Sequence, residues 1–435
     1  MKSLAIVLLL VAISPCFGAD YPVSCSGNIS SALQTAINSA RDGDTVTISA
    51  GNCSMASTVS WSDKNIMIRG AGIGSTTITN STGGIMLLGY LNTKPVRITG
   101  FTINNTSGAQ GWIHFQQTCN NNLSCTPQYV KGFRIDHIRF NQTGTGGSAY
   151  AVLIDGRFSG VIDNCYFYHN TSQYLIGMRH RAMHGLMDAK GLTRMWGDHA
   201  WTEPSDMETE NAIYMEDNVY EKAGSGYSTI CDASEGSKVT IRYNTFIGTN
   251  VGVQFHGTGD SGRGTIFSNV YNNRWTTPNP NNIGVVLAGT GVVHSNSISG
   301  VATFGIGEHR GAGSYGPYPA CNGGYANDGN TENDGWPCLD QIGRGPGASA
   351  NNNVSAPFYF WNNGSMSVFL IDLANQSKYL KKAGDAVAHP GGIVDYVVGT
   401  AKPGWTAFTY PHPARAEGLL PRAEGLLPPT NLRME

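Results

Sequence analysis

Short runs of alternating apolar and polar residues recur through the middle of the chain. Alternation over a few positions is typical of a half-buried β-strand. One set of runs has a turn-type residue before its last apolar pair, and its members are VRITGFTI from Val96, RIDHIRF from Arg134, GVIDNCYF from Gly160, AIYMEDNVY from Ala212, KVTIRYNTF from Lys238, TIFSNVYNNRW from Thr265 and VVHSNSI from Val292. The pattern therefore predicts many short strands.

These turn-type residues recur at a fairly constant spacing. They lie 23 to 37 residues apart, with one gap of 54 that we interpret as an inserted loop, at Gly100, His137, Asn164, Asn218, Asn244, Asn273 and Asn296. A second set of strand-like runs lies between them: YAVLIDG from Tyr150, YLIGMRH from Tyr174, YSTICDA from Tyr227, VGVQFHG from Val251 and NIGVVLAG from Asn282. Two strands per repeat, with few helical patterns between them, predict the coils of a parallel β-helix.

An amphipathic helix is predicted ahead of the first coils, within SALQTAINSARDGDTVTISAG (Ser31 to Gly51). A solenoid must cover its open first coil, and such a helix does so. We therefore expect an all-β protein, a single-stranded parallel β-helix with an N-terminal capping helix and an irregular C-terminal segment.

The helix, the DGDTVTI and IRGAG segments that follow it, and the asparagine-containing corners are similar to the right-handed parallel β-helix proteins of the pectin-lyase-like superfamily. The resemblance covers roughly residues 25 to 310 and implies a right-handed solenoid. Families on this fold include polysaccharide lyases, glycoside hydrolases, esterases, epimerases and non-catalytic adhesins, so the resemblance specifies the fold better than the activity.

Four segments follow from the composition along the chain. Residues 1–18, MKSLAIVLLLVAISPCFG, have the layout of a secretory signal peptide. Residues 19–310 hold the predicted β-helix, and residues 311–413 form a Gly/Asn-rich segment expected to pack along the solenoid and cap it. Residues 414–435, which repeat RAEGLLP, are expected to be a flexible tail.

The overall composition argues against two classes of binding partner, nucleic acid and membrane. The chain has 435 residues, of which 56 are glycine and 13% are charged, and its formal net charge is -2. No basic excess favours nucleic acid, and no later segment reaches the length of a membrane span. We therefore expect a monomeric protein that is secreted or located in the periplasm or outside the cell, with neither nucleic acid nor membrane as its partner.

Cysteine positions also favour an oxidising compartment. Three local disulfides are predicted, Cys25 with Cys53, Cys119 with Cys125 and Cys321 with Cys338. Cys165 and Cys231 are expected to remain buried free thiols.

A column of polar residues is predicted on the second set of strands. Asp155, Arg179, Asp232 and His256 each lie five residues after the start of their runs, and Ala288 lies five residues after Ile283 in the next run. Their parity is opposite to that of the apolar positions, so they should point outward and form an accessible ridge. Such a ridge suits a linear polymer, although a cross-coil stack of ion pairs on a solvated face would have the same sequence.

Further candidate residues lie near this column in sequence. Arg157, Tyr227, Glu235 and Arg263 could contact a substrate, and Trp196 and Trp201 in the long inserted loop could stack on sugar rings. No cofactor is expected with certainty; calcium is possible, but neither CxxC nor HExxH supports a zinc site.

The residue types favour a polysaccharide lyase that cleaves a uronate-containing polymer by β-elimination. Arg179 or Arg263 would neutralise the carboxylate, His256 oriented by Asp232 would accept the proton, and Tyr227 or water would protonate the leaving oxygen. Two alternatives stay open. An inverting glycoside hydrolase could use Asp155 and Asp232 on an acidic or neutral polysaccharide, and a binding or adhesive solenoid would need no turnover.

Overall fold

The computed structural model of the protein describes residues 18–105, 111–118, 129–143, 150–170, 174–179, 186–187, 193–194, 205–224, 226–256, 264–307, 342–345, 354–371 and 380–416. One α-helix, α1 (Ser30–Ser39), lies in these ranges, together with 3₁₀ turns at Pro390–Gly392 and Pro413–Arg415. No helix of the described ranges has both the length and the apolar character needed to cross a membrane.

Strands make up most of the rest. In chain order they are β1 (Asp20–Val23), β2 (Ser26–Asn28), β3 (Thr45–Ile48), β4 (Gly51–Met55), β5 (Val59–Ser62), β6 (Met67–Gly70), β7 (Thr76–Asn80), β8 (Leu87–Tyr90), β9 (Arg97–Asn105), β10 (Ile113–Gln116), β11 (Val130–Gln142), β12 (Val152–Asp155), β13 (Phe158–Asp163), β14 (Tyr166–His169), β15 (Tyr174–Arg179), β16 (Leu186–Met187), β17 (Thr193–Arg194), β18 (Ile213–Glu216), β19 (Val219–Lys222), β20 (Ser228–Ser234), β21 (Lys238–Arg242), β22 (Thr245–Ile247), β23 (Val251–Phe255), β24 (Phe267–Tyr271), β25 (Arg274–Trp275), β26 (Asn281–Val286), β27 (Thr290–His294), β28 (Ser297–Ile298), β29 (Ala302–Ile306), β30 (Phe358–Trp361), β31 (Met366–Leu370) and β32 (Tyr396–Val398).

The strands stack in parallel into three long faces, which confirms the predicted parallel β-helix. Face 1 contains β1, β3, β6, β9, β11, β13, β18, β21, β24, β27, β30 and β32. Face 2 contains β2, β4, β7, the second halves of β9 and β11, β14, β19, β22, β25 and β28. Face 3 contains β5, β8, β10, β12, β15, β20, β23, β26, β29 and β31. Between β3 and β29 the chain visits the faces in this order in each coil. Among the strands of the described ranges only β16 and β17 pair in antiparallel fashion, and two isolated antiparallel bridges, Arg344 with Ser355 and His389 with Ile393, lie in the C-terminal segment.

The core lies inside the coils, as the alternation of apolar and polar residues predicts. The apolar positions of the second strand set, whose parity predicts an inward direction, are buried at Val152, Ile154, Cys231, Val253 and Phe255. Neighbouring coils also stack aromatic rings along the inner side of face 2, with centroids 4.3 to 5.2 Å apart, in the order Phe140, Phe167, Tyr220, Phe246 and Trp275. Successive coils therefore share one continuous apolar core.

Buried asparagines form a ladder at the corner between faces 1 and 2. Each side-chain amide donates to the amide oxygen of the next coil at 2.9 to 3.1 Å, in the order Asn218, Asn244, Asn273, Asn296 and Asn363. The left-handed turn residue is the one before each of these, such as Asp217 or Tyr243, so our placement of the turn was one residue late there. At the end of the ladder, the Cys165 N–H donates to Asn218.

The cysteines that the structure describes behave as predicted. Cys25 and Cys53 form a disulfide, while Cys165 and Cys231 are buried free thiols. A disulfide suits an oxidising compartment. The other two predicted pairs, and the predicted signal peptide apart from Gly18, lie outside the described residues.

The solenoid continues beyond residue 310, where we expected its repeat to end. Strands β30 and β31 add to faces 1 and 3, and β32 extends face 1 once more. The chain then turns back toward the N-terminal coils as an extended segment, residues 402–416, which we call the strap. Its rings pack on face 1: Trp405 lies edge-on to Tyr271 and His294, and Phe408 packs on Tyr214.

A buried ion network fixes the strap to face 1. Arg242, which is fully buried, uses all five of its N–H groups: two reach Glu216, one reaches Tyr271 and two reach the carbonyl oxygens of Phe408 and Thr409 in the strap. Further along, Arg415 lies 3.0 Å from Glu216. We had assigned residues 414–416 to the flexible tail, but Ala414 is buried and Arg415 is ion-paired, so ordered packing extends to residue 416.

Candidate functional site

The strap contacts Arg134, Glu216 and Arg242 on face 1, so these polar residues serve its attachment. Face 3 carries a separate group of charged and polar side chains that contact one another. We call these six residues the face-3 cluster: His114, Tyr150, Asp155, Arg179, Asp232 and His256. They come from five successive coils, so the stacking of coils brings them together. Four lie within strands, whereas Tyr150 precedes β12 and His256 follows β23.

The strand register confirms part of the predicted column and corrects the rest. Asp155 pairs with Arg179 as predicted. Asp232, however, pairs with Gly177, and Ser234 is the residue opposite Arg179, so the alignment of Asp232 with Arg179 is wrong. The residue predicted after His256, Ala288, is also misplaced, because it is buried.

His256 directly follows β23 and is held by the backbone on both sides. Its N–H donates to the carbonyl of Ala233 at 2.8 Å, and its carbonyl accepts from the N–H of Thr265 at 2.8 Å. Its ring Nε2 lies 2.8 Å from Oδ1 of Asp232, one coil away. The predicted His–Asp pair therefore forms, as a diagonal contact between neighbouring columns.

Tyr150 reaches Asp232 from two coils away. Its hydroxyl donates to Oδ2 of Asp232 at 2.5 Å. The ring passes over Gly177 on the intervening strand, where a Cβ atom would lie 2.8 Å from a ring carbon of Tyr150. The missing side chain of Gly177 thus creates the space through which the tyrosine contacts the aspartate.

Electrostatics keeps Asp232 ionised. Burial by itself would raise the pKa of this carboxyl, but the contacts with His256 and Tyr150 and the charge of Arg179 outweigh burial, and the pKa is lowered. Burial and the neighbouring Asp232 raise the pKa of Tyr150 well above its ordinary range, so the phenol keeps its proton at neutral pH.

Arg179 connects the two halves of the cluster. Burial would lower its pKa, but Asp155, Glu235 and Tyr150 together raise it, so the guanidinium remains charged. Its NH1 lies 4.0 Å from Asp155, whose other oxygen is 3.0 Å from Nε2 of His114. The cluster therefore runs continuously from His114 to His256.

The cluster is more buried than the ridge that we predicted. Side-chain exposure is 6% for Asp155, 15% for Asp232, 12% for His256 and 32% for Arg179. The prediction of an unshielded column is therefore wrong for the carboxylates and the histidine. Arg179 combines the greatest exposure among these four with a loose ion pair, so it is the group of the four that an anionic ligand can reach most easily.

Other predicted site residues lie elsewhere or cannot be placed. The Tyr227 hydroxyl is directed to the carbonyl of Val253 at 3.5 Å, so Tyr150 is the tyrosine of the cluster. Arg157 packs over the ring of Tyr129, at a corner of the solenoid. Glu235 is buried and acts on Arg179 through its charge. Arg263, Trp196 and Trp201 lie outside the described residues.

Sequence reasoning missed Tyr150 and His114. Tyr150 was used only to mark the start of a strand. His114 belongs to the alternating run GWIHFQQ (Gly111 to Gln117), and its strand pairs with the YAVLIDG strand in the structure. If this run had been included in the second set of strands, its alternation would have predicted that His114 points to the same side as the column.

Neither a metal site nor a family assignment emerges from the described residues and the comparisons. In the described part of the chain, no group of three or more His, Cys, Asp or Glu side chains is arranged to hold a metal ion. A comparison with protein-family models finds no match, and none of the curated proteins matches the sequence. The geometry of face 3 therefore carries the functional argument.

Replacing Gly177 by alanine is expected to break the Tyr150–Asp232 contact. The added methyl group would overlap the ring of Tyr150 and the end of Leu153, and overpacking of this kind costs about 1–3 kcal/mol. Urea unfolding measures this loss. In a Tyr150→Ala background the penalty should become smaller, because only the overlap with Leu153 remains. Gly84→Ala is the matched control, since nothing lies within 4 Å of a Cβ atom there; equal effects of the two glycine substitutions would contradict the prediction.

Proposed function

We propose that the protein is a secreted polysaccharide lyase of the pectin-lyase-like superfamily, and that it cleaves a uronate-containing polymer at the face-3 cluster. The observation that supports this most is the contact network in which a charged arginine, a His–Asp pair and a protonated tyrosine lie together on one face. The long parallel face suits a polymer with a regular repeat. The disulfide and the N-terminal sequence support export.

In this proposal each step of β-elimination uses a described side chain. Arg179 pairs with the uronate carboxylate and stabilises the negative charge that develops when the adjacent proton leaves. His256, oriented by ionised Asp232, accepts the proton on the carbon beside the carboxylate. The electron pair forms the new carbon–carbon double bond and expels the glycosidic oxygen, which takes a proton from Tyr150. The phenol suits this last role because its raised pKa keeps it protonated.

The hydrolase alternative receives less support. An inverting glycoside hydrolase needs one protonated carboxylic acid and one carboxylate; the lowered pKa of Asp232 suits the carboxylate role and leaves the acid role to Asp155. Asp155 and Asp232 are, however, offset by two residues over two coils, which puts their Cα atoms roughly 12 Å apart. Binding without turnover is the stronger second candidate, because the low exposure of Asp155 and His256 suits recognition through Arg179 alone.

A panel of acidic and neutral polysaccharides distinguishes these functions. We expect the protein to generate ultraviolet absorbance from an unsaturated uronate product, together with new reducing ends. Reducing ends without absorbance would indicate hydrolysis and contradict the proposal. Binding to a polymer without either signal would favour the binding protein, and Arg179→Met should then abolish that binding.

A further inference from the structure

A second group of buried polar residues lies inside the solenoid, at the end of face 2. It is a column of inward-facing residues from successive coils, in the order Asn80, Asn105, Gln142, His169 and Lys222. All five are buried. The column is separate from the face-3 cluster and plays no part in the proposed lyase reaction.

The two ends of this column differ in how their polar atoms are satisfied. The amide of Asn80 donates to Gly84, and the amide of Asn105 donates to Gln142 at 2.7 Å. At the other end, His169 is fully buried, and neither of its ring nitrogens has a hydrogen-bond partner among the described residues. A polar group that is buried in this way costs free energy unless something pairs with it.

Lys222, on the next coil, is a buried ammonium group without an acidic partner. Its Nζ donates to the carbonyl oxygens of Gly224 and of Thr249, and no carboxylate pairs with it in the described ranges. The nearest acid in sequence, Glu221, has the opposite parity and accepts from Tyr166. Burial lowers the pKa of Lys222, and burial together with the Lys222 charge lowers the pKa of His169 to about 3.

Lys64 is a lysine of the same protein whose ammonium N–H groups are all hydrogen-bonded. Its Nζ donates to three carbonyl oxygens, those of Ile37, Asn38 and Ala40, at 2.7 to 2.9 Å. An ammonium group has three N–H donors, so this lysine uses all of them. Lys222 uses two, and its remaining N–H is available beside the unpaired imidazole.

We propose that Lys222 and His169 bind a small inorganic anion of the halide class inside the solenoid. The anion would accept one N–H from Lys222 and one from the neutral imidazole of His169. It would supply the counter-charge that the buried ammonium lacks, which matters because burying an unpaired ion costs several kcal/mol. The free N–H of Lys222 and the ring N–H of His169 are both donors and need an acceptor. A halide fits them because it accepts hydrogen bonds and donates none.

The test measures thermal midpoints in sodium chloride or sodium bromide against sodium gluconate at the same ionic strength. Since a ligand that binds only the folded state raises its stability by mass action, we expect the halides to raise the midpoint by on the order of 3 °C. Lys222→Met should abolish the difference between halide and gluconate. Lys64→Met, which removes a partly buried lysine that also bonds to carbonyl groups, should retain it.

Two results would overturn the proposal. One is a midpoint that does not depend on the identity of the anion. The other is an equal halide response in Lys222→Met and Lys64→Met, which would indicate general salt effects. If Lys222→Met fails to fold, anomalous scattering from bromide in crystals of the unmodified protein gives an independent answer: we expect a peak between Lys222 and His169, and its absence there refutes the site.

Discussion

Replacing Arg242 by methionine is expected to lower the free energy of unfolding by about 3–5 kcal/mol, the usual result of removing one partner from a buried ion pair. Arg242 bonds to Glu216, to Tyr271 and to two carbonyl groups of the strap. Without it Glu216, which is fully buried, would keep the strap residue Arg415 as its ion-pair partner, and the strap would lose two anchors. Urea unfolding, and digestion at the exposed strap residue Tyr410, measure both consequences.

Arg274→Met is the matched control for Arg242→Met. Arg274 is exposed on face 2, and no hydrogen bond or ion pair involves its side chain in the described ranges. Surface substitutions of this kind usually change stability by less than about 0.5 kcal/mol. Equal effects of the two substitutions, or a strap that stays resistant to protease in Arg242→Met, would contradict the role that we assign to the network.

Replacing His256 by glutamine is expected to lower turnover of the polymer that the panel identifies by about 10²- to 10⁴-fold, the usual contribution of a general base. Glutamine retains a hydrogen-bonding side chain near Asp232 but cannot accept the proton. The free energy of unfolding should change by no more than about 1–3 kcal/mol, because Asp232 keeps its contact with Tyr150. Asp232→Asn should reduce turnover less, as a positioning residue does.

His389→Gln controls for the loss of a buried His–Asp contact in general. His389 Nε2 lies 2.6 Å from Asp395 in the C-terminal segment, and both residues are buried. This variant should affect stability without lowering turnover. Full activity in His256→Gln would exclude the histidine as the base, and an equal loss of activity in both variants would show that the effect is structural.

The sequence predicted the fold well because alternation carries most of the information in a solenoid. Each strand must turn its apolar side inward, so Val152, Cys231 and Phe255 could be assigned to the core from their parity. The strap could not be predicted in this way. Its contacts join residues as distant as Arg134 and Arg415, which are 281 positions apart, and no local pattern indicates such a pairing.

The candidate site was only partly predictable, for a reason specific to β-strands. We aligned β20 with β15 through Tyr227 and Tyr174, whereas the structure pairs Tyr174 with Thr229. A shift of two residues keeps every side chain on its own side of the sheet. Alternation therefore identified Asp232 as an outward residue but could not determine which coil neighbour it meets.

The strap also determines which coils would bear a mechanical force applied to the C-terminal part of the chain. In an ordinary solenoid each coil contacts only its neighbours, so tension at one end peels off the terminal coil first. Here the end of the described strap lies beside Arg134 on β11, in the interior of the stack, where the Arg415 carbonyl accepts from Arg134. A force applied to the chain beyond that point would therefore load the middle coils first, through Arg415 and Glu216. The C-terminal coils would bear the load only after the strap had detached from face 1.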